Sequence, residues 1–177
     1  MRARWLCTAV LIAAAAGCGE GRAIFDIDVF SFLSSAKADT LPYIGPLPPG
    51  VPDTIPVQTV NSLGLGSSSL VDTVRFTGTV DFVNATGTGS VLFQVYFDSV
   101  KSTTYAGTPA FSVSGNVTPG TTTTSPFAVD VLDPAMKQLF LASTIYVGIR
   151  ATATGTIQGT AKLTALRARI VVKDKIF

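Results

Sequence analysis

The sequence predicts an all-β fold: an antiparallel β-sandwich of about seven to eight strands with one short helix, or alternatively a small β-barrel. Three observations carry this. First, apolar residues recur at alternate positions, as in residues 70–82, where Leu70, Val74, Phe76, Val80 and Phe82 alternate with Thr73, Arg75, Thr77, Thr79 and Asp81. Second, hydroxyls supply much of the polarity, with 22 Thr and 14 Ser after position 18. Threonine is β-branched, favours strands and covers a solvent face without charge. Third, a helical pattern occurs only once, so the 177 residues are apportioned among short strands.

The chain opens with Arg2 and Arg4, followed by an apolar run over residues 5–16. As a helix that run would reach roughly 18 Å, short of a hydrocarbon core of about 30 Å. It reads as the apolar region of a signal peptide rather than a membrane span. The run ends in Ala15-Ala16-Gly17-Cys18. These residues resemble the lipobox of bacterial lipoproteins, with Ala15 where leucine is usual. The resemblance covers residues 1–18 and implies cleavage before Cys18, a lipid on Cys18, and attachment to the bacterial cell envelope at the outer membrane. The membrane would then be contacted through the N-terminal lipid. The expected organisation is a signal peptide over residues 1–17, a lipid-anchored segment over 18–56, and a sandwich over 57–177.

Residues 23–33 read as a strand with Phe25, Ile27, Val29 and Leu33 on one face and Asp26 and Asp28 on the other. Residues 41–56 hold six of the ten prolines and read as an extended connector. Residues 61–69 read as a flexible Gly/Ser stretch. Residues 70–82 and 91–97 flank the turn-forming 84–89 (NATGTG) and read together as a long hairpin. Residues 110–117 form a third strand with a bulge at Gly115, and 119–126 (PGTTTTSP) a loop before an alternating strand at Phe127, Val129 and Val131. Asp133-Pro134 starts the helix, with Asp133 as N-cap and Met136, Leu139 and Phe140 on its apolar side. Ile145, Val147, Ile149, Ala151 and Ala153 form the next strand. Residues 157–172 form the last, bent near Gly159, with Leu163, Ala165 and Arg167 sharing a face. The whole resembles the immunoglobulin-like class in general architecture. It lacks that class's Cys…Trp…Cys framework, since Trp5 lies in the signal.

Composition excludes much chemistry. The chain has no histidine, and its two cysteines, Cys7 and Cys18, lie at the start. Histidine triads, histidine metal sites and a zinc site of paired cysteines are ruled out, and no cofactor is expected. The formal charge of +2 belongs to Arg2 and Arg4, so the mature chain is neutral and nucleic acid is not an expected partner. Ser34-Ser35-Ala36-Lys37 matches S-x-x-K, but the S-D-N and K-T-G elements of the penicillin-recognising families are missing. Asp26 with Asp28, and Asp130 with Asp133, are carboxylate pairs. They would be needed for a carboxylate-based hydrolase, the third functional reading. Asp26 and Asp28 are also the weak candidates for calcium. Arg167, Arg169, Lys173 and Lys175 form a basic cluster suited to an anionic surface, or to guarding an edge strand.

The leading expectation is a non-catalytic, lipid-anchored envelope protein acting through surface contacts with another envelope protein or a glycan. The alternative is a small carrier of a lipid or other hydrophobic ligand, with Phe76, Phe82, Phe93 and Phe97 lining its cavity.

Overall fold

The computed structural model describes residues 21–47, 53–61, 64 and 69–174. Residues 1–17, expected to be a signal peptide, lie outside the described residues, as do Cys18, Lys175 and most of the Gly/Ser stretch. So do Pro48, Pro49 and Pro52 of the proline-rich segment. None of the described helices is long and apolar enough to cross a membrane.

Among the described residues, nine strands form two antiparallel sheets. They are β1 (Gly21–Asp28), β2 (Thr40–Gly45), β3 (Gln58–Asn61), β4 (Ser69–Thr86), β5 (Gly89–Asp98), β6 (Phe111–Val117), β7 (Thr121–Asp130), β8 (Thr144–Thr154) and β9 (Ile157–Asp174). Two short helices, α1 (Val29–Ser35) and α2 (Pro134–Leu139), and a 3-10 turn at Lys101–Thr103 complete the elements. One sheet runs β1-β9-β4-β7, with β2 beside β1 on the same edge of β9; the other runs β3-β8-β5-β6. From β2 onward every connection changes sheet except β5 to β6. This is the strand order of a jelly roll. An immunoglobulin domain differs in pairing its first two strands within one sheet.

The expected hairpin of residues 70–97 is therefore absent. β4 and β5 are joined by only Gly87 and Thr88, yet they lie in opposite sheets. Alternation shows which face of a strand is buried, but not whether the next strand lies beside it or across the core. Three such crossings meet at one end of the sandwich. Gly87 and Gly155 hold positive φ, 75° and 96°, in two of them. A Cβ on Gly87 would strike the Thr156 carbonyl of the neighbouring crossing, so only glycine fits there. The third crossing is tied in by the Gly120 N–H, which donates to the Asn84 carbonyl at 2.9 Å. Asn84 is buried, and its Nδ2 donates to Gly87 O at 2.7 Å while Oδ1 accepts from the Tyr43 hydroxyl at 3.3 Å.

Residues 23–33 are not one strand. Asp28 caps α1 by accepting from the Ser31 N–H at 3.3 Å, and the chain turns helical, burying Val29 and Leu33 one turn apart. The proline-rich segment contributes β2, an edge strand on which Pro42 is tolerated. β1 and β2 both pair with β9 in the five-stranded sheet. Likewise Thr121 to Pro126 are not loop but the first half of β7, another edge strand.

Two bulges reverse the expected facing of residues. Asp72 is unpaired in the β4–β9 ladder, so Val71 rather than Leu70 points inward. Thr164 is the extra residue in β9, which puts Leu163 and Leu166 both inside and turns Ala165 away from the core. β6, by contrast, runs through Gly115 without a bulge; the missing side chain makes room for the Phe82 ring. β9 continues through Gly159, over which Tyr43 packs. The helix forms as expected, with Asp133 accepting from the Ala135 N–H at 2.9 Å, though it ends at Leu139.

The core lies between the sheets. Phe76 from β4 stacks on Phe97 from β5 at 5.0 Å and meets Phe111 and Phe140 at 5.3 and 5.7 Å. Each such buried ring contributes about 2–3 kcal/mol through burial.

Candidate functional site: an arginine-lined depression

The outer face of the five-stranded sheet carries the charge. Cross-strand register sets Asp26 on β1 opposite Arg169 on β9, Arg169 opposite Arg75 on β4, and Arg75 opposite Asp130 on β7. One row further, Asp28, Arg167 and Thr77 line up in the same way. Asp26, Arg75, Thr77, Arg167 and Arg169 line an open depression of about 490 Å³. All five side chains are exposed.

The pairing within this row is loose. Arg75 Nε lies 3.8 Å from Asp130 Oδ1, with both side chains about half exposed. Among the described residues, neither Arg167 nor Arg169 has a carboxylate within 4.0 Å. Placing Arg75 and Arg169 directly opposite each other costs stability, because like charges in register repel. The result is three guanidinium groups converging on one depression, with two of them uncommitted. Guanidinium is a planar, multidentate donor suited to carboxylate, phosphate or sulfate.

The basic cluster divides on inspection. Arg167 and Arg169 come together with Arg75. Lys173 lies at the far end of β9, where its Nζ is 3.1 Å from Asp72 Oδ1. The hydrogen bond from Lys173 holds the Asp72 carboxyl below its ordinary pKa, against a smaller opposing push from burial. Lys175 lies outside the described residues. Arg75 was not recognisable in the sequence as a neighbour of Arg169. It reads there as one polar position of an alternating strand, and only the β4–β9 register joins them.

Asp26 and Asp28 do share the outer face, but each has an arginine as its β9 neighbour, and Asp28 Oδ1 is committed to capping α1. Cationic neighbours disfavour calcium. Among the described residues no three acids, histidines or cysteines gather as a metal site. Asp130 and Asp133 are likewise separated in role, one beside Arg75 and the other capping α2. Ser34 and Ser35 end α1 rather than open a helix, and the Ser35 hydroxyl donates to the Phe32 carbonyl at 2.9 Å.

The four-stranded sheet carries a different arginine. Arg150 lies between the rings of Tyr96 and Tyr105, 5.5 and 5.4 Å from their centroids. Its Nε is 3.4 Å from Asp53 Oδ2, an ion pair bent off the hydrogen-bond line, and its NH1 donates to the Tyr96 hydroxyl at 3.3 Å. The Tyr105 hydroxyl donates to Ile55 O at 2.6 Å and accepts from the Ile149 N–H at 3.1 Å. Its ring rests on Gly148, where a Cβ would come within 2.7 Å. Burial pushes the Tyr105 phenol above its ordinary pKa, with smaller lowering from the Ile149 backbone hydrogen bond and Arg150. Sequence reading missed this cluster, because Tyr105 sits in the irregular segment after the 3-10 turn.

Among the described residues, Val74, Phe76, Val80, Phe82, Val91 and Val95 are fully buried between the sheets. A void between Val60, Phe97, Phe140, Ile145 and Val147 measures about 10 Å³, about the room for one water.

No family model and no curated protein matches this sequence. Solved structures do resemble it at a distance. The infectious bursal disease virus Gt strain structure is 14% identical over 88% of this chain and 38% of that one, with a TM-score of 0.43. The infectious bursal disease virus VP2 subviral particle is 13% identical over 86% and 37%, with a TM-score of 0.41. Eiger TNF from S. frugiperda is 7% identical over 65% and 83%, with a TM-score of 0.34. This chain thus spans well under half the length of the viral chains it resembles.

Proposed function

We propose that this chain is a non-catalytic, lipid-anchored protein of the bacterial cell envelope. Its jelly-roll domain acts through surface contacts with another envelope protein or a glycan. The observation that carries this reading is the contrast between a filled interior and the open depression at Arg75, Arg167 and Arg169. At about 10 Å³ the void in the core is too small for a lipid, which weighs against the carrier alternative. The partner's contacting group is an anion: carboxylate, phosphate or sulfate. The carboxylates nearest the depression lie beside arginines in the register and are not paired around a cleft, so no hydrolytic role is assigned to them.

The test combines lipid labelling with capture. Palmitate labelling and membrane association are expected for the native chain and lost in Cys18→Ala. Crosslinking in the membrane fraction is expected to recover a partner that Arg167→Ala/Arg169→Ala no longer captures, while labelling stays intact. Labelling that persists in Cys18→Ala, or capture indifferent to both arginines, overturns the reading.

A further inference from the structure

The end of the sandwich where β1 begins is built differently from the crossing end. On the outer face there, Ile24 on β1 and Leu70 on β4 flank β9 and are 54% and 50% exposed. The Asp72 bulge is what turns Leu70 outward. Around Asp72 gather three cations. Lys173 pairs with its carboxylate at 3.1 Å, Lys137 Nζ donates to its carbonyl at 3.1 Å, and Arg22 acts on it through its charge. The described side chains of this corner thus combine two exposed aliphatic groups with an excess of positive charge. Glu20, Asp174 and Lys175 adjoin it in the chain, their side chains outside the described residues.

We infer that this corner, centred on Ile24, Leu70, Arg22 and Lys173, rests on the surface of an anionic lipid bilayer and fixes how the domain stands on it. The inference rests on the lipid-anchor reading, and chain length carries it. Three peptide links, through Gly19 and Glu20, separate Cys18 from Gly21, the first residue of β1. Fully extended they span at most about 10 Å. A lipid on Cys18 therefore holds this corner against the headgroups, where aliphatic side chains enter the interface and cations meet lipid phosphates. The crossing end, with Gly87 and Gly155, then points away from the membrane. Arg167 lies six residues up β9 from Lys173, so the arginine depression stands roughly 20 Å along the strand from the membrane contact, open to a partner at its side.

The test uses the lipidated full chain on phosphatidylglycerol-containing vesicles, with an environment-sensitive fluorophore on Leu70→Cys. Its emission is expected to move to shorter wavelength and lose quenching by aqueous iodide. The same label on Thr152→Cys, on the outer face of β8, should keep its emission in water. Adding Arg22→Gln should weaken the docked state about fivefold without reducing vesicle attachment. Emission at Leu70→Cys that stays at its water value while the chain is vesicle-bound overturns the inference, as does a shift already present in the unlipidated Cys18→Ala chain in buffer without vesicles or detergent, which would mean that the chain or a second copy covers the corner. Failure of palmitate labelling at Cys18 instead removes the anchor reading, a result read separately from the fluorescence.

Discussion

The outer faces of the two sheets each present arginine to solvent, and they use it in opposite ways. On the four-stranded sheet, Arg150 is held between two tyrosine rings, pairs with Asp53 and donates to Tyr96. It fastens residues 53–55 and the Tyr105 segment to β8, where the Ile55 N–H donates to Ile149 O at 3.0 Å. On the five-stranded sheet, among the described residues, Arg167 and Arg169 have no carboxylate within 4.0 Å, and Arg75 makes only a long contact to Asp130. The difference separates an arginine spent on folding from arginines left available for a partner. Exposure alone does not make the distinction, since Arg150 still shows 30% of its side chain to solvent.

Removing the ring that closes the first face should have the largest effect. Tyr105→Ala strips the cover from Gly148 and deletes the hydroxyl shared by Ile55 and Ile149, and is expected to cost about 3 kcal/mol in urea unfolding. Arg150→Ala comes next, at about 2 kcal/mol after allowing for its partial exposure, because it ends both ring contacts and leaves Asp53 without its partner. Tyr105→Phe keeps the ring and loses only the hydroxyl, so about 1 kcal/mol should disappear. Across the molecule, Arg167→Ala and Arg169→Ala should each stay within about 0.5 kcal/mol of the native stability. A loss as large as that at Arg150 would make these arginines structural and erase the contrast.

The smallest effect is in acid. Because Lys173 holds Asp72 below its ordinary pKa, its contribution is present above the unfolded-state value of about 3.9 and is lost as pH falls through the folded-state value. Asp72→Asn should flatten that part of the stability–pH curve; an unaltered acid limb would show that the pair is not felt.

The alternating strands were legible because burying one face imposes a period of two, as at Val91, Phe93 and Val95 or at Val147, Ile149 and Ala151. Asp133-Pro134 was legible because a cap and a first-turn proline are local signals. Sheet membership was not, because Gly87-Thr88 has the length and chemistry of a hairpin turn yet spans the core. Nor were the bulges at Asp72 and Thr164, where one unpaired residue in each ladder reverses the facing of its neighbours along the strand. Asp28 shows a third limit. Its side chain alternates like a strand residue until it caps a helix whose buried Val29 and Leu33 also satisfy the strand pattern. For the site, Arg167 and Arg169 were visible as neighbours on one strand, whereas Arg75 and the Arg150 cluster depend on register and on loop packing between distant residues.

β9 is the last of the described strands, but it lies inside the five-stranded sheet, between β4 on one side and β1 and β2 on the other. β1, at residues 21–28, has its hydrogen-bonding partner at residues 167–174. A chain released from its N-terminus, whether from the ribosome or through a translocation pore, cannot complete this sheet until residue 174 is free. Such long-range pairing slows folding. The same connectivity ties completion of the five-stranded sheet to the arrival of residues 167–174.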